Sequence, residues 1–354
     1  MANKRIAIIG HFAENTDIKD GQTVKTRILF DELAALGRFD IKKVDTYLKK
    51  SHPVRLLAKS LWTLLTVRDI VVLLSGNGMR FYFPILSFFV KAFGTRVYHD
   101  VIGGNLDSYV REEPRFKKWL SSFRSNWVET ESLKLKLGAE GVTNTEVIPN
   151  FKRLEPLSES ELYERRGVLK LCTFSRVSAE KGIELAAEAV KELNKDGDFC
   201  TLDIFGVPDA DYGERFKELM ASADKGVSYL DSVPYSESVA AIKDHDALLF
   251  PTYWFGEGFP GTVVDAYSAG LPVIASDHGS NRELVKDGIT GRIIPSKSVP
   301  ALVNAIRELG AMSPEALFEM KKNCLIEAKK YTPEGHIERI AAALGGGVSR
   351  SSER

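Results

Sequence analysis

The sequence predicts two α/β domains, each built on a doubly wound parallel β-sheet. Short apolar runs typical of buried strands alternate with helical stretches over residues 1–150, and the alternation starts again near residue 169. A polar segment at 152–167 separates the two series, as a linker would. A chain of 354 residues is also too long to fold around one small hydrophobic core. We therefore expect Rossmann-like domains at 1–150 and 151–330, with the ligand site in a cleft between them.

The end of the chain is predicted to be helical. The stretch 314–330 completes the second domain, and the helix at 331–344 either finishes that domain or crosses back to the first. The last residues, 345–354, are small or polar, so we expect a disordered tail.

The composition is that of a soluble globular protein, with 44% hydrophobic and 27% charged residues. The formal net charge is zero, but residues 1–150 carry 23 Lys and Arg against 16 Asp and Glu, whereas the remainder carries 25 against 32. This asymmetry favours an anionic partner for the first half, such as a phospholipid surface, although an uneven solvated surface is the commoner explanation.

The cysteine content and the apolar runs indicate a reducing compartment and no membrane span. Cys172, Cys200 and Cys324 are far apart, with no CxxC spacing, which excludes a disulfide framework and a cysteine zinc site. The apolar run near the start is short enough for a strand and too short for a signal peptide, and no run reaches about 18 residues. We expect a cytoplasmic protein.

The first domain begins with a strand at 6–9, a polar loop, and a helix that starts near Thr23 and ends at Gly37. Free N–H groups at a helix start attract anions, so Gly21 and Gln22 are candidates for a phosphate contact. No GxGxxG or Walker spacing accompanies them. The further strands predicted for this domain are 41–45, 70–74, 96–99, 125–128 and 146–148.

Two helical stretches of the first domain are unusually apolar. One, at 54–67, contains Arg55 and Lys59, and the other, at 81–93, contains five Phe and a Tyr. Both fit core helices packed on the sheet, and both also fit a helix that presents an apolar, basic-rimmed face to a membrane interface. The sequence leaves the two interpretations open.

His99 lies at the end of a predicted strand that runs into the Gly103-Gly104 turn. Open α/β sheets bind ligands at this edge, so His99 is a candidate site residue. A structural histidine is the alternative.

The second domain contains a loop with two cations, Arg176 and Lys181, after its first strand. Fixed cations at the carboxyl edge of a sheet can neutralise a diphosphate without a metal, and ordinary surface charges are the alternative. The strands predicted here are 169–174, 200–205, 227–229, 247–250 and 271–275, with helices at 183–194, 212–223 and 236–243.

A Gly-rich loop near the end of this domain carries Glu257, and Asp265 follows eight positions later in a predicted helix. Two carboxylates in such a place fit general acid and base chemistry or a ligand clamp. Because the stretch repeats strand, turn and helix at close spacing, it is where an α/β sheet places its ligand.

These motifs together resemble the GT-B retaining glycosyltransferases of family 4, the glycosyl transferases group 1, of bacterial surface-polysaccharide type. The resemblance covers the second half in order and the first half loosely, through Gly21-Gln22-Thr23 and His99. It rests on EGFPGTVVDAYSAGLPVIAS at 257–276, SRVSAEKG at 175–182, VIPN at 147–150 and NRELV at 281–285.

The resemblance implies two facing Rossmann-like domains and the retaining transfer of a sugar from a nucleoside-diphosphate sugar. Uridine diphosphate is the commonest carrier in this family. The acceptor is expected to be a saccharide or lipid-linked saccharide in cell-surface polysaccharide biosynthesis, held by the first domain. The basic first half and the aromatic stretch at 81–93 suggest that this acceptor is lipid-linked and lies at the inner face of a bacterial membrane, which the first domain would contact through anionic lipid. No nucleic-acid partner is expected.

Site roles follow from the same resemblance. Glu257 accepts hydrogen bonds from donor-sugar hydroxyls, and Gly258, Phe259 and Gly261 offer backbone N–H groups near the sugar and phosphates. Pro260, which has no N–H, fixes the helix entry. The family usually has Glu at the acid that holds the ribose, and this sequence has the shorter Asp265.

The resemblance also implies the chemistry. Arg176 and Lys181 stabilise the leaving diphosphate as a metal would, so no metal and no further cofactor are expected. The acceptor attacks from the same face, and the departing phosphate oxygen takes its proton. His99 or Asp100 positions the sugar or the acceptor.

Three other functions compete with this one. A nicotinamide-dependent oxidoreductase would need a GxGxxG turn after the first strand, which Gly10-His11-Phe12-Ala13 does not supply. A sugar-nucleotide epimerase on the same fold would change the donor without an acceptor. A non-catalytic module would bind the donor without turnover.

Overall fold

The protein consists of two compact units, one of which combines residues from both ends of the chain. The structure, a computed structural model, describes residues 3–14, 16, 21–49, 51–165 and 167–345. The first unit combines Met1–Arg153 with Pro333–Arg354, and the second comprises Leu154–Thr332. Residues 346–354 of the predicted tail lie outside the described residues.

The first unit is built on a six-stranded sheet in the order β2-β1-β3-β4-β5-β6, in which every pairing is parallel. Its strands are β1 Lys4–Gly10, β2 Phe39–Asp45, β3 Asp69–Leu73, β4 Arg96–Asp100, β5 Ser125–Val128 and β6 Thr145–Val147. Its helices are α1 Gly21–Ala35, α2 Pro53–Thr66, α3 Gly76–Phe93, α4 Leu106–Glu112, α5 Pro114–Leu120, α6 Glu131–Ala139 and, from the end of the chain, α14 Pro333–Gly345.

The continuous apolar runs of β1 and β3 arise because both faces of this sheet are covered. Ile9 of β1 belongs to a core that contains side chains of α2 and α3, whereas Ile8 belongs to a core with α1 and α14. Successive strand residues point to opposite faces, so a strand buried on both sides needs an apolar residue at every position.

The last helix, α14, belongs to the first unit. Ile337 and Ile340 are buried in the core that also contains Leu29 and Leu33 of α1. The Tyr98 hydroxyl donates to the Ala343 carbonyl at 2.9 Å. The apolar face of α14 therefore covers one side of the first sheet.

The second unit is a six-stranded parallel sheet in the order β12-β11-β10-β7-β8-β9. The prediction of two doubly wound parallel sheets is confirmed. The strands are β7 Leu169–Phe174, β8 Cys200–Phe205, β9 Val227–Tyr229, β10 Ala247–Phe250, β11 Val273–Ser276 and β12 Gly291–Ile294. The helices are α7 Ile183–Leu193, α8 Gly213–Ser222, α9 Ser238–Ile242, α10 Gly261–Ser268, α11 Asn281–Leu284, α12 Val299–Gly310 and α13 Pro314–Ala328.

Across the part of the chain that the structure describes, none of the helices combines the length and apolar character needed to cross a bilayer.

Candidate functional site

The candidate site of the second unit lies where two loops leave neighbouring parallel strands. Strands β7 and β10 are hydrogen-bonded to each other, and their carboxyl ends open into the loops 175–182 and 251–260. The Tyr253 N–H donates to the Glu180 carbonyl at 2.7 Å, which joins the loops directly. Gly182 has φ of 76°, and a Cβ there would lie 2.4 Å from the Pro251 carbonyl oxygen. Glycine therefore permits the close approach of the two loops.

Lys181 and Glu257, both predicted from the sequence as site residues, form an ion pair. The Lys181 Nζ lies 2.6 Å from the Glu257 Oε2, and the Thr252 hydroxyl donates to the same oxygen at 2.9 Å. Their side chains are 9% and 6% exposed. Removing either partner would leave a buried charge uncompensated, so the pair holds both side chains in the loop junction.

Arg176 lies beside this pair and is more exposed. Its Nη1 donates to both carboxylate oxygens of Asp209, at 3.0 and 2.9 Å. The Arg176 Cζ and the Lys181 Nζ lie 5.5 and 5.0 Å from the centre of the Trp254 ring. The structure thus brings both predicted diphosphate cations to one indole, at the carboxyl edge of the sheet.

The residues Gly258, Phe259, Pro260 and Gly261 form the entry to α10. Gly261 is the first residue of the helix, and Pro260 precedes it with φ of −73°, a value its ring imposes. The Thr262 hydroxyl donates to the Phe174 carbonyl at 2.5 Å, which ties α10 to the end of β7. The helix start therefore lies next to the loop that carries Arg176.

Asp265 is more enclosed than a ligand contact requires. It is 1% exposed, and the Ser238 hydroxyl at the start of α9 donates to its Oδ1 at 2.9 Å. A contact between this carboxylate and a ribose would require some of the groups that enclose it to move.

His99 is not placed for contact with a substrate. It has no exposed surface, and its ring packs edge-on against Phe83 at 4.9 Å and near Phe123 at 6.4 Å between ring centres. Burial lowers the pKa of His99 to about 3, so the ring is neutral near pH 7. We correct the assignment of His99 as a catalytic residue, because an enclosed ring cannot touch the reacting atoms.

Gly21 and Gln22 form the start of α1, as the sequence suggests. The Gln22 amide donates to the Leu73 carbonyl at 3.2 Å, and the Ser75 hydroxyl donates to the Gln22 Oε1 at 2.8 Å. The Gln22 side chain therefore links α1 to the end of β3.

The sequence reasoning missed a buried charge cluster at the carboxyl edge of the first sheet. The Lys25 Nζ lies 2.7 Å from Asp100, 2.8 Å from Glu129 and 2.8 Å from the Val101 carbonyl oxygen. Burial opposes the charge on Lys25, but the two carboxylates outweigh it and raise the pKa of Lys25. Burial also raises the pKa of Asp100, although Lys25 works against that effect. The only signal in the sequence is that Asp100 and Glu129 each fall at a strand end.

Asp209 and Trp254 were also missed. Asp209 follows β8 in a stretch without a recognisable motif, and Trp254 precedes the Gly-rich loop by two residues. Their roles depend on which strands are neighbours.

The comparisons with known proteins connect these loops to a family. The model of the glycosyl transferases group 1 matches residues 161–330. This part of the chain, just under half of it, is similar to that family. The matched stretch contains both loops of the candidate site, with Arg176, Lys181, Trp254 and Glu257.

Curated relatives of the chain are distant. Over 198 residues it is 30% identical to the GtfA subunit of a UDP-N-acetylglucosamine–peptide N-acetylglucosaminyltransferase of Streptococcus agalactiae. The matched stretch is 55% of this chain and 37% of that one. It is 25% identical to the putative colanic acid biosynthesis glycosyltransferase WcaL of Salmonella typhimurium, over 42% and 38% of the two chains. It is 27% identical to a phosphatidyl-myo-inositol mannosyltransferase of Mycobacterium leprae, over 48% and 44%. The chain spans less than half the length of each of these relatives.

Solved structures show the same fold over nearly the whole chain. The Anabaena protein HepE, in complex with UDP and glucose, has a TM-score of 0.73 at 14% identity, with 97% of this chain and all of that chain covered. A sucrose-phosphate synthase from Thermosynechococcus elongatus has a TM-score of 0.75 at 16% identity, with 96% and 98% covered. The GT-B fold that the sequence motifs predict is thereby confirmed.

Proposed function

We propose that this chain is a retaining glycosyltransferase that moves a sugar from a nucleoside-diphosphate sugar to a saccharide or lipid-linked saccharide. The donor we expect first is a uridine diphosphate sugar. The observation that carries the proposal is the convergence of Arg176 and Lys181 on Trp254 beside Glu257. Among the relatives, WcaL is named for colanic acid biosynthesis. HepE was crystallised with UDP and glucose. The name of WcaL supports polysaccharide assembly, and the HepE complex supports a uridine diphosphate sugar as the donor.

In the proposed reaction an acceptor hydroxyl forms a bond to the anomeric carbon while the bond from that carbon to the phosphate oxygen breaks. Negative charge develops on the leaving diphosphate, where Arg176 and Lys181 stabilise it. Attack from the same face lets the departing phosphate oxygen take the acceptor's proton. A protein base and a metal ion are then not required.

Donor binding would exchange two ion pairs that the structure shows. The diphosphate competes with Asp209 for Arg176 and with Glu257 for Lys181, both of which are paired in the structure. Glu257 then accepts hydrogen bonds from sugar hydroxyls. The N–H groups of Gly258, Phe259 and Gly261 at the start of α10 would donate to phosphate oxygens, as N–H groups at helix starts commonly do, and Asp265 would accept from the ribose hydroxyls.

The proposed activity is tested by incubating the purified chain with a panel of sugar nucleotides, with and without lipid-linked and free saccharide acceptors. We expect release of the nucleoside diphosphate that depends on acceptor, persists in chelator and yields a product of retained anomeric configuration by NMR. Epimerised donor without acceptor would indicate an epimerase. Donor binding by calorimetry without turnover across the panel would indicate a binding module and overturn the proposal.

We also propose that α2 and α3 form a membrane-docking surface. Their outward apolar residues are strongly exposed, at 80% for Val54, 65% for Trp62, 60% for Leu65, 52% for Phe81 and 59% for Phe88. The Ser60 and Tyr82 hydroxyls lie 2.9 Å apart and join the two helices. Contiguous apolar surface of this kind marks interaction sites.

The charge around this surface selects an anionic membrane as its partner. Residues 46–99 contain eight Lys and Arg and one acidic residue, Asp69. Asp69 is 2% exposed and is paired with Arg96, and Arg80 is paired with Glu113, so the excess of basic charge in this stretch comes from the other cations. Basic residues that flank Trp, Phe and Leu match a bilayer interface containing anionic lipid. A lipid-linked acceptor would be met on this surface, at the inner face of the cytoplasmic membrane.

A further inference from the structure

The indole of Trp254 packs against the backbone of the loop between β10 and α10, at Gly256. Its carbonyl accepts from the Glu257 N–H at 3.0 Å and lies 2.8 Å from the His278 Nε2. A Cβ at Gly256 would lie 2.8 Å from the Cζ2 of the indole. A residue with a side chain at 256 would therefore push the ring away. The backbone is fixed, and the indole is half-buried rather than part of a core.

The indole contacts both proposed diphosphate cations. The Lys181 Nζ lies 5.0 Å from its centre and the Arg176 Cζ lies 5.5 Å from it, within the range of cation–π attraction. The carboxylates of Asp209 and Glu257 occupy N–H donors of these cations, whereas an aromatic face attracts the charge and leaves the N–H groups available. When a diphosphate displaces the carboxylates, Arg176 and Lys181 can stay in contact with the indole.

We propose that Trp254 is a positioning residue that holds Arg176 and Lys181 at the spacing a diphosphate requires. This inference rests on the proposed function and deepens it. Lys181 has a second aromatic neighbour, Phe250, at 5.5 Å, so loss of the indole is expected to affect Arg176 more. Trp254 acts through the cations and exchanges no proton or electron pair itself.

The test compares nucleoside diphosphates with their nucleosides. Calorimetry measures the Kd of UDP, GDP and ADP and of uridine, guanosine and adenosine for wild type, W254L and W254F. For the diphosphate that wild type binds, W254L is expected to weaken binding about tenfold, while the Kd of the matching nucleoside stays unchanged. W254F keeps an aromatic face and is expected to restore most of the affinity.

The matched control is Phe255→Leu. Phe255 is the neighbouring aromatic residue and is 77% exposed. Its ring makes no cation–π contact with Arg176 or Lys181. F255L is expected to bind the diphosphate like wild type. The inference is overturned if W254L keeps wild-type diphosphate affinity, if it loses nucleoside and diphosphate affinity equally, or if W254F is as weak as W254L. A wild-type chain that turns over a sugar nucleotide leaves the proposed function standing in each of these cases. A wild-type chain that binds none of the three diphosphates overturns both.

Discussion

At the scale of single residues, the pairing of Lys181 with Glu257 shows what the sequence can and cannot supply. Both residues were predicted as site residues from their motifs, but they are 76 positions apart and nothing in the sequence shows that they touch. Their contact depends on β7 and β10 being neighbours in the sheet, which is a property of the topology. Asp209 and Trp254 escaped prediction for the same reason.

His99 illustrates a different limit. The sequence places it at the end of a strand, and the structure includes it in β4, one residue before Asp100. Successive strand residues point to opposite faces, so a shift of one position decides whether a side chain enters a core or lines a site. Here Asp100 joins the charge cluster with Lys25, and His99 joins the aromatic core.

The buried His99 predicts an acid-sensitive fold. Its pKa is about 3 in the folded protein and about 6.5 in an unfolded chain, so between these values the unfolded state binds the proton and the folded state does not. The free energy of unfolding should therefore fall as the pH drops from 6.5 towards 3. Urea unfolding at pH 7 and pH 5 is expected to show a larger loss for wild type than for H99Q.

The control for this effect is the exposed His52, whose replacement in H52Q should keep the wild-type pH dependence. Equal losses for wild type and H99Q would show that His99 does not couple folding to protons.

At the scale of elements, α2 and α3 answer a question that the sequence left open. One face of each helix packs in the core, as the first interpretation predicts, and the other face is exposed and apolar. Contact of the exposed faces with a membrane is our proposal. Leu56 and Leu64 of α2 and Phe83 and Leu86 of α3 are buried against the sheet, while residues such as Trp62 and Phe88 face outward. Helices this apolar give no clean polar stripe, so composition alone could not separate a core face from an exposed one.

The exposed faces predict binding to anionic vesicles. Flotation with phosphatidylglycerol-containing vesicles in low salt should recover the wild-type chain, and neutral phosphatidylcholine vesicles should recover less. The double variant W62S/F88S removes two large apolar anchors and is expected to weaken binding at least tenfold. The double variant should also lose its remaining binding as salt increases.

The matched control is L135S, which replaces an apolar residue of α6 that is 71% exposed in the same unit but outside α2 and α3. No recovery of wild type with anionic vesicles in low salt, or equal weakening by L135S, would contradict the docking surface.

At the scale of the whole molecule, the two parallel sheets were predictable because strand and helix patterns alternate twice and parallel strands buried on both faces read as unbroken apolar runs. The place of α14 was not, since its apolar face fits either sheet and only the packing of Ile337 and Ile340 against α1 assigns it to the first unit. Three of the four motif stretches lie in the second unit, which also contains both loops of the candidate site, whereas VIPN at 147–150 lies in the first unit.

If fixed cations of the second unit stabilise a leaving diphosphate, the turnover of R176A should show it. Arg176 is half-exposed in its ion pair with Asp209, so its loss should leave the fold intact. The control is R215A, which removes another exposed arginine paired with a carboxylate, Glu184, in the same unit. We expect kcat for nucleoside diphosphate release to fall about 10²–10³-fold in R176A and to stay at the wild-type value in R215A. Wild-type kcat in R176A would contradict the account.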